Sequence, residues 1–164
     1  MTFAWLTLMA CATAAAQIAP PQVPENLKVP ATETVLLKAL GKGKQIYACS
    51  ANGWVLDRPQ ADLWDDRGAA IGKHYKGPVW EAADGSKVGG QVAQRAGAPE
   101  GKAVPWLLLK ANSHEGAGTF AGVTYIQRVD TEGGLAPAAG CDPSHLGLEV
   151  SAEYRATYYF YVAR

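Results

Sequence analysis

Charge is scarce in this sequence and evenly split. Charged side chains make up 18% of the 164 residues, with 15 basic and 15 acidic groups and a formal net charge of zero. That share is below the roughly one quarter usual for globular chains. No long run of one sign occurs, so the clustered Lys and Arg that nucleic-acid affinity requires are missing. Lys42 and Lys44 read as a solvated turn. No apolar run reaches the roughly 20 residues needed to span a bilayer as a helix. Glycine (18 residues) and proline (10 residues) are spread without a period, which excludes collagen-like and low-complexity chains. No internal repeat is present. Cysteine is limited to three residues, none at C-x-x-C spacing, so a cysteine-ligated metal site has no framework. No H-E-x-x-H or H-x-H spacing exists, and Ser86, Ser113, Ser144 and Ser151 lack a G-x-S-x-G context. Neither a metal nor a cofactor is expected.

What is present is apolar material in short pieces. The hydrophobic fraction is 48%, and a chain of this length fits one domain with one core. Turn residues separate the apolar runs, the pattern of a small β protein.

Residues 1–16 carry no charged side chain. Phe3–Ala10 is a short apolar run, followed by small residues through Ala16. This is the layout of a secretory signal, with cleavage expected after Ala16, although no Lys or Arg precedes the run. A competing reading takes Leu8-Met9-Ala10-Cys11 as a lipoprotein box with a lipid anchor at Cys11. Residues 17–30 contain Pro20, Pro21, Pro24 and Pro30, which predicts an extended tether. The folded domain is expected over residues 31–164. The chain is thus expected to be exported, to the periplasm or the extracellular space. With residues 1–16 removed, Cys49 and Cys141 remain, and export makes a disulfide the simplest reading. Two free buried thiols are the alternative.

Asn52-Gly53 and Asp84-Gly85 are strong hairpin turns, the second joining Val79–Ala82 to Lys87–Val92. Thr34–Leu40 is compatible with a helix, but Gly41-Lys42-Gly43 followed by Gln45–Cys49 favours a hairpin. Pro59 is expected to break pairing before Ala61–Trp64. Trp106-Leu107-Leu108-Leu109 suits a strand covered on both faces, and Val123–Val129 the next. At the carboxyl end, Tyr154, Ala156, Tyr158, Phe160 and Val162 alternate with Glu153, Arg155, Thr157, Tyr159 and Tyr161. Period two puts the two sets on opposite faces. The expected fold is mainly β: a single-domain antiparallel β-sandwich or a small β-barrel, with long loops.

Taken in order, Gln45–Cys49, His74–Glu81, Asp84-Gly85-Ser86, Pro105–Leu108, Tyr125–Val129 and Tyr154–Tyr161 resemble domain-of-unknown-function family 3455, an uncharacterised family of exported proteins. The resemblance implies export and one domain, and supplies no activity, substrate or cofactor. Some fungal members of that family carry the label malate dehydrogenase. The residues here argue against it: the nearest glycine run, Gly116–Gly122, lacks the spacing of a dinucleotide loop and leads into a strand.

Three constellations could carry chemistry. His74, Glu81 and Asp84 lie within eleven residues and could serve as base and orienter or hold a metal, against the reading of a structural His, a surface Glu and a turn Asp. His114, Asp142 and His145 form a looser set, more simply read as loop and cap residues. The third is aromatic. Trp80, Tyr159 and Tyr161 are candidate ligand-binding residues, the two tyrosines because they fall on the more polar face of the last strand. Arg128 is expected to pair with Glu153 or Glu81 across a sheet. The reading that fits these observations is a non-enzymatic envelope or extracellular protein that binds a small molecule, a glycan or a cell-envelope component. The alternative is a secreted hydrolase or metal-dependent enzyme using His74, Glu81 and Asp84.

Overall fold

The computed structural model describes residues 17–164. The expected signal segment and the lipoprotein box at Cys11 lie outside the described residues.

Eight antiparallel strands follow one another around an irregular closed barrel, each paired with its sequence neighbours, and β1 pairs with β8 to close the ring. They are β1 (Glu33–Ser50), β2 (Gly53–Trp64), β3 (Ala70–Tyr75), β4 (Val79–Ala82), β5 (Lys87–Ala96), β6 (Trp106–Glu115), β7 (Val123–Gly133) and β8 (Glu149–Ala163). Of the two expected architectures, the closed ring is the one formed. Among the described residues the only helices are single 3-10 turns, so none is long and apolar enough to cross a membrane.

The alternation in β8 works as expected on its inner side. Tyr154, Ala156, Tyr158 and Phe160 face the barrel core with Leu63, Trp80, Val88, Leu109, Phe120 and Ile126. One end of the barrel is plugged. Phe120 stacks on Phe160 with ring centroids 4.5 Å apart. The loop carrying it is clasped by Asp84, whose Oδ2 accepts from the Thr119 amide and hydroxyl, both at 2.7 Å. The Asp84-Gly85 turn is therefore both a hairpin connection and the anchor of the plug.

Three expectations need correction. Gly41-Lys42-Gly43 is not a turn but the middle of the 18-residue strand β1. The two glycines serve close approach: a Cβ on Gly41 would lie 2.6 Å from the Tyr158 ring, and one on Gly43 only 2.1 Å from the Gln60 carbonyl oxygen. Pro59 does not break pairing. It lies opposite Gln45 inside β2, in the stretch that pairs with β1 alone, where its missing N–H removes no bond to β3.

Residues 17–30 are extended but docked, not a free tether. Ile18, Val23 and Val29 pack on the outer face of the barrel against Val35, Val129, Tyr159 and Tyr161. Leu27, in the 3-10 turn Glu25–Leu27, is 0% exposed, and its carbonyl accepts from Gln127 Nε2 at 2.6 Å. This cover is why Tyr159 and Tyr161, expected to be exposed, are buried: the outer face of β8 has a second, smaller apolar layer. Leu27→Ala is expected to cost about 3 kcal/mol, the usual range for truncating a fully buried leucine. A urea midpoint unchanged from wild type would show that the segment adds nothing to the fold.

Cys49 and Cys141 form a disulfide, with Cα atoms 5.3 Å apart across a sequence separation of 92. It fastens the long connection before β8 to the end of β1. Backbone bonds on either side of it, from Cys49 N to Leu148 O at 2.8 Å and from Gly147 N to Cys49 O at 2.9 Å, hold the same junction.

Candidate functional site

Strand lengths create an opening in the wall. β3 and β4 have six and four residues, whereas their flanking strands β2 and β5 have 12 and 10. β3 pairs with β2 only over Ala61–Trp64, and β4 with β5 only over Lys87–Gly89. Above that short hairpin the rest of β2 and β5 have no partner on the facing side, and a notch is left. Behind it lies a cavity of about 520 Å³. Its size falls in the range typical of small-molecule sites.

The rim is formed by Leu56, Asp57 and Pro59 of β2, by Lys76, Gly77 and Pro78 of the β3–β4 turn, and by Val92 and Arg95 of β5. Leu107 and Leu109 of β6, with Val104 and Pro105 before it, supply an apolar wall. The floor carries Gln45, Tyr47, His74, Trp80, Arg128 and Tyr158. Each comes from the inward-facing set of its strand, which is why one short hairpin delivers both His74 and Trp80.

The floor combines flat rings with polar groups. His74 stacks on Trp80, with centroids 4.3 Å apart and planes 8° apart, and Tyr158 meets both rings edge-on. His74 Nδ1–H donates to the Val79 carbonyl at 2.9 Å, which leaves Nε2 as the unprotonated nitrogen of the neutral ring. Burial, helped by the Arg128 charge and opposed by the bond to Val79, pushes the imidazole down to about 3. Burial likewise raises the phenols of Tyr158 and Tyr154, so both remain neutral, and their hydroxyls lie 3.1 Å apart. Tyr47 donates to the Gly134 carbonyl at 2.6 Å.

Gln45 and Trp80 Nε1 on the floor are buried without a hydrogen-bond partner, and Arg128 lacks a counter-ion. Gln45 is 1% exposed, and neither its Nε2 nor its Oε1 has a hydrogen-bond partner. Arg128 is 9% exposed and, contrary to expectation, pairs with neither Glu153 nor Glu81. It points inward because β7 alternates from the inward Ile126, and its Nε and Nη2 donate to the Pro105 carbonyl at 3.2 and 2.8 Å. Among the described residues no carboxylate forms an ion pair with it. Asp57, the acid of the rim, is already held by Lys76 and Arg58, each at 2.5 Å.

The expected chemical trios do not assemble. His74 faces inward opposite Trp80, whereas Glu81 lies opposite Lys73 on the other face and accepts from the Tyr75 hydroxyl at 2.7 Å. Asp84 is in the plug clasp, where the Ser86 hydroxyl and the Thr119 amide hold its carboxyl well below the usual range. Among the described residues no group of three His, Cys, Asp or Glu side chains is placed to hold a metal. His114 sits at the far end of β6 and its Nε2–H donates to the Val123 carbonyl at 2.7 Å. Asp142 caps the 3-10 turn Pro143–His145, accepting from the Ser144 amide and from His145 Nδ1, both at 2.9 Å. Of the aromatic candidates, Trp80 lines the cavity, whereas Tyr159 and Tyr161 lie beneath residues 17–30 on the opposite side of the wall.

Comparison with known proteins adds a family. The model of a protein family of unknown function, DUF3455, matches residues 30–162. The chain belongs to DUF3455. No curated protein and no solved structure matches it. In this DUF3455 chain the matched span takes in all eight strands except the last residue of β8, and includes every residue of the notch.

Gln45 and Arg128 are the residues that sequence reasoning missed as a pair. The available signal was their position: each is a polar side chain at an inward step of its strand, beside Tyr47 in β1 and Ile126 in β7.

Proposed function

We propose that this chain is an exported, non-enzymatic binding protein that takes a small organic molecule into the notch between β2 and β5. The observation that carries the reading is the cavity itself: open to solvent at a gap in the wall, sided by leucines, and floored by stacked rings and a buried amide with no protein partner. Buried polar groups are nearly always satisfied, so an unpaired pair of amide atoms at a cavity floor suits a ligand that supplies the partner. Catalysis by His74, Glu81 and Asp84 has no support from their placement on opposite faces and at opposite ends of the hairpin.

Amide chemical shifts of the labelled protein, recorded against a library of small neutral and charged aromatic fragments, test this. Shifts are expected to cluster on Gln45, Trp80, Leu109 and Tyr158, and Leu56→Trp at the rim should abolish them. Fragments that move only scattered surface residues would sink the reading.

Export is the second part of the proposal. A disulfide persists in oxidising compartments, and the layout of residues 1–16 agrees with one. Sequencing of the mature amino terminus from the native source should begin at Gln17, or show a lipidated Cys11 under the alternative. An intact residue 1–16 segment in the cytosolic fraction would contradict both.

A further inference from the structure

Resting on that binding reading, we propose that the ligand is an organic monocarboxylate with a flat, apolar body, its carboxylate seated on Arg128. The guanidinium stays charged at any physiological pH. Held nine-tenths out of water without a counter-ion, it carries a desolvation cost that a bound anion would offset. The Pro105 carbonyl occupies the side formed by Nε–H and one Nη2–H. What is left is the end-on fork, the Nη1 hydrogens and the second Nη2–H, with the Tyr158 hydroxyl beside the guanidinium. Two parallel donors of that kind match the two oxygens of a carboxylate.

The charge balance points the same way. The cavity is lined by Lys76, Arg95 and Arg128 against the single acid Asp57, and both Asp57 oxygens are engaged by Lys76 and Arg58. His74 adds no positive charge, because it is neutral and already committed to Val79. A single free fork suits one negative charge rather than the two of a phosphate monoester. The body of the ligand is set by what surrounds the fork: the Trp80–His74 stack and the wall of Leu107 and Leu109 favour a flat apolar group.

Calorimetric titration of the disulfide-bonded protein at pH 7 with naphthaleneacetate and with naphthaleneacetamide separates charge from shape. The acid is expected to bind at least about tenfold more tightly, the scale of one hydrogen-bonded charge. Arg128→Gln should remove most of the acid's advantage over the amide. Should that variant fail to fold, side-chain nitrogen-15 spectra of wild-type arginine serve instead: the Arg128 resonances should move with the acid and not with the amide. Equal affinity of acid and amide, or an Arg128 signal indifferent to the acid, would overturn the carboxylate assignment and leave the binding reading standing. Tighter binding of naphthyl phosphate than of the acid would also overturn it, in favour of a phosphate monoester. If neither naphthalene compound binds while neutral fragments still shift the notch, the assignment falls alone. If no fragment shifts the notch either, the binding reading falls with it.

Discussion

Replacing both Cys49 and Cys141 by alanine is expected to lower stability by up to about 4.5 kcal/mol, the loop-entropy value for a cross-link of this span. The bond joins residues 92 apart. The stretch it anchors has little else to hold it. Between β7 and β8 the described backbone has no regular structure beyond one 3-10 turn, and Leu135, Leu146 and Leu148 are exposed there. Its further ties are Gly134 at its start, which donates to the Glu153 carbonyl and accepts from Tyr47, the two backbone bonds beside Cys49, and the Trp54 indole N–H donating to the Ala139 carbonyl at 3.0 Å. Constraint of the unfolded chain is therefore the main contribution. Urea denaturation of the double variant, and of wild type with reductant, should show the same drop. An unchanged midpoint in both would mean that the connection is held without the bond, and mass mapping that found two free thiols would contradict the pairing itself.

Acid should unfold this protein through His74. The folded-state imidazole titrates at about 3, whereas in the unfolded chain it titrates near its ordinary value of about 6.5. Between these values the unfolded state binds the extra proton, so stability falls as pH falls. The slope approaches about 1.4 kcal/mol per pH unit, which gives roughly 3 kcal/mol lost by pH 4.5 and about 4–5 kcal/mol near pH 3. Arg128 works in the same direction, since a second positive charge on the cavity floor is repelled by the first. Tyr158, packed edge-on against the imidazole, is neutral throughout this window and offers no compensating charge. His74→Phe should be flatter than wild type between pH 6.5 and 4 by this amount, whatever its stability at pH 7. Parallel profiles for the two proteins would show that His74 is not the group responsible.

Much of the fold was legible because local chemistry and tertiary structure agree. Asn52-Gly53 and Asp84-Gly85 are turns in the chain because each glycine takes a positive φ, of 93° and 83°. The inner face of β8 was legible because period two over ten residues has no helical equivalent. The misreadings all came from residues whose role depends on what lies across from them. Gly41 and Gly43 look like punctuation until Tyr158 and Gln60 are seen against them. Pro59 looks like a breaker until β3 is found to stop short of it. Tyr159 and Tyr161 looked exposed because alternation assigns faces but cannot show that a proline-rich segment covers one of them.

The site was less legible than the fold. Trp80 stood out by size alone. Arg128 was noticed, but a charged residue in a strand most simply suggests a cross-strand ion pair, and only the ring's closure turns that face inward. Gln45 gave no signal beyond its parity, since a lone glutamine is ordinary on either face.

How wide the doorway stands is settled by where one hairpin ends. Each extra residue pair added to β3 and β4 would zip further along the bare flanks of β2 and β5, narrowing the entrance without touching Phe120, Phe160 or any other part of the plugged end. Access and scaffold can therefore diverge separately. A longer hairpin would leave a narrower opening on the same barrel.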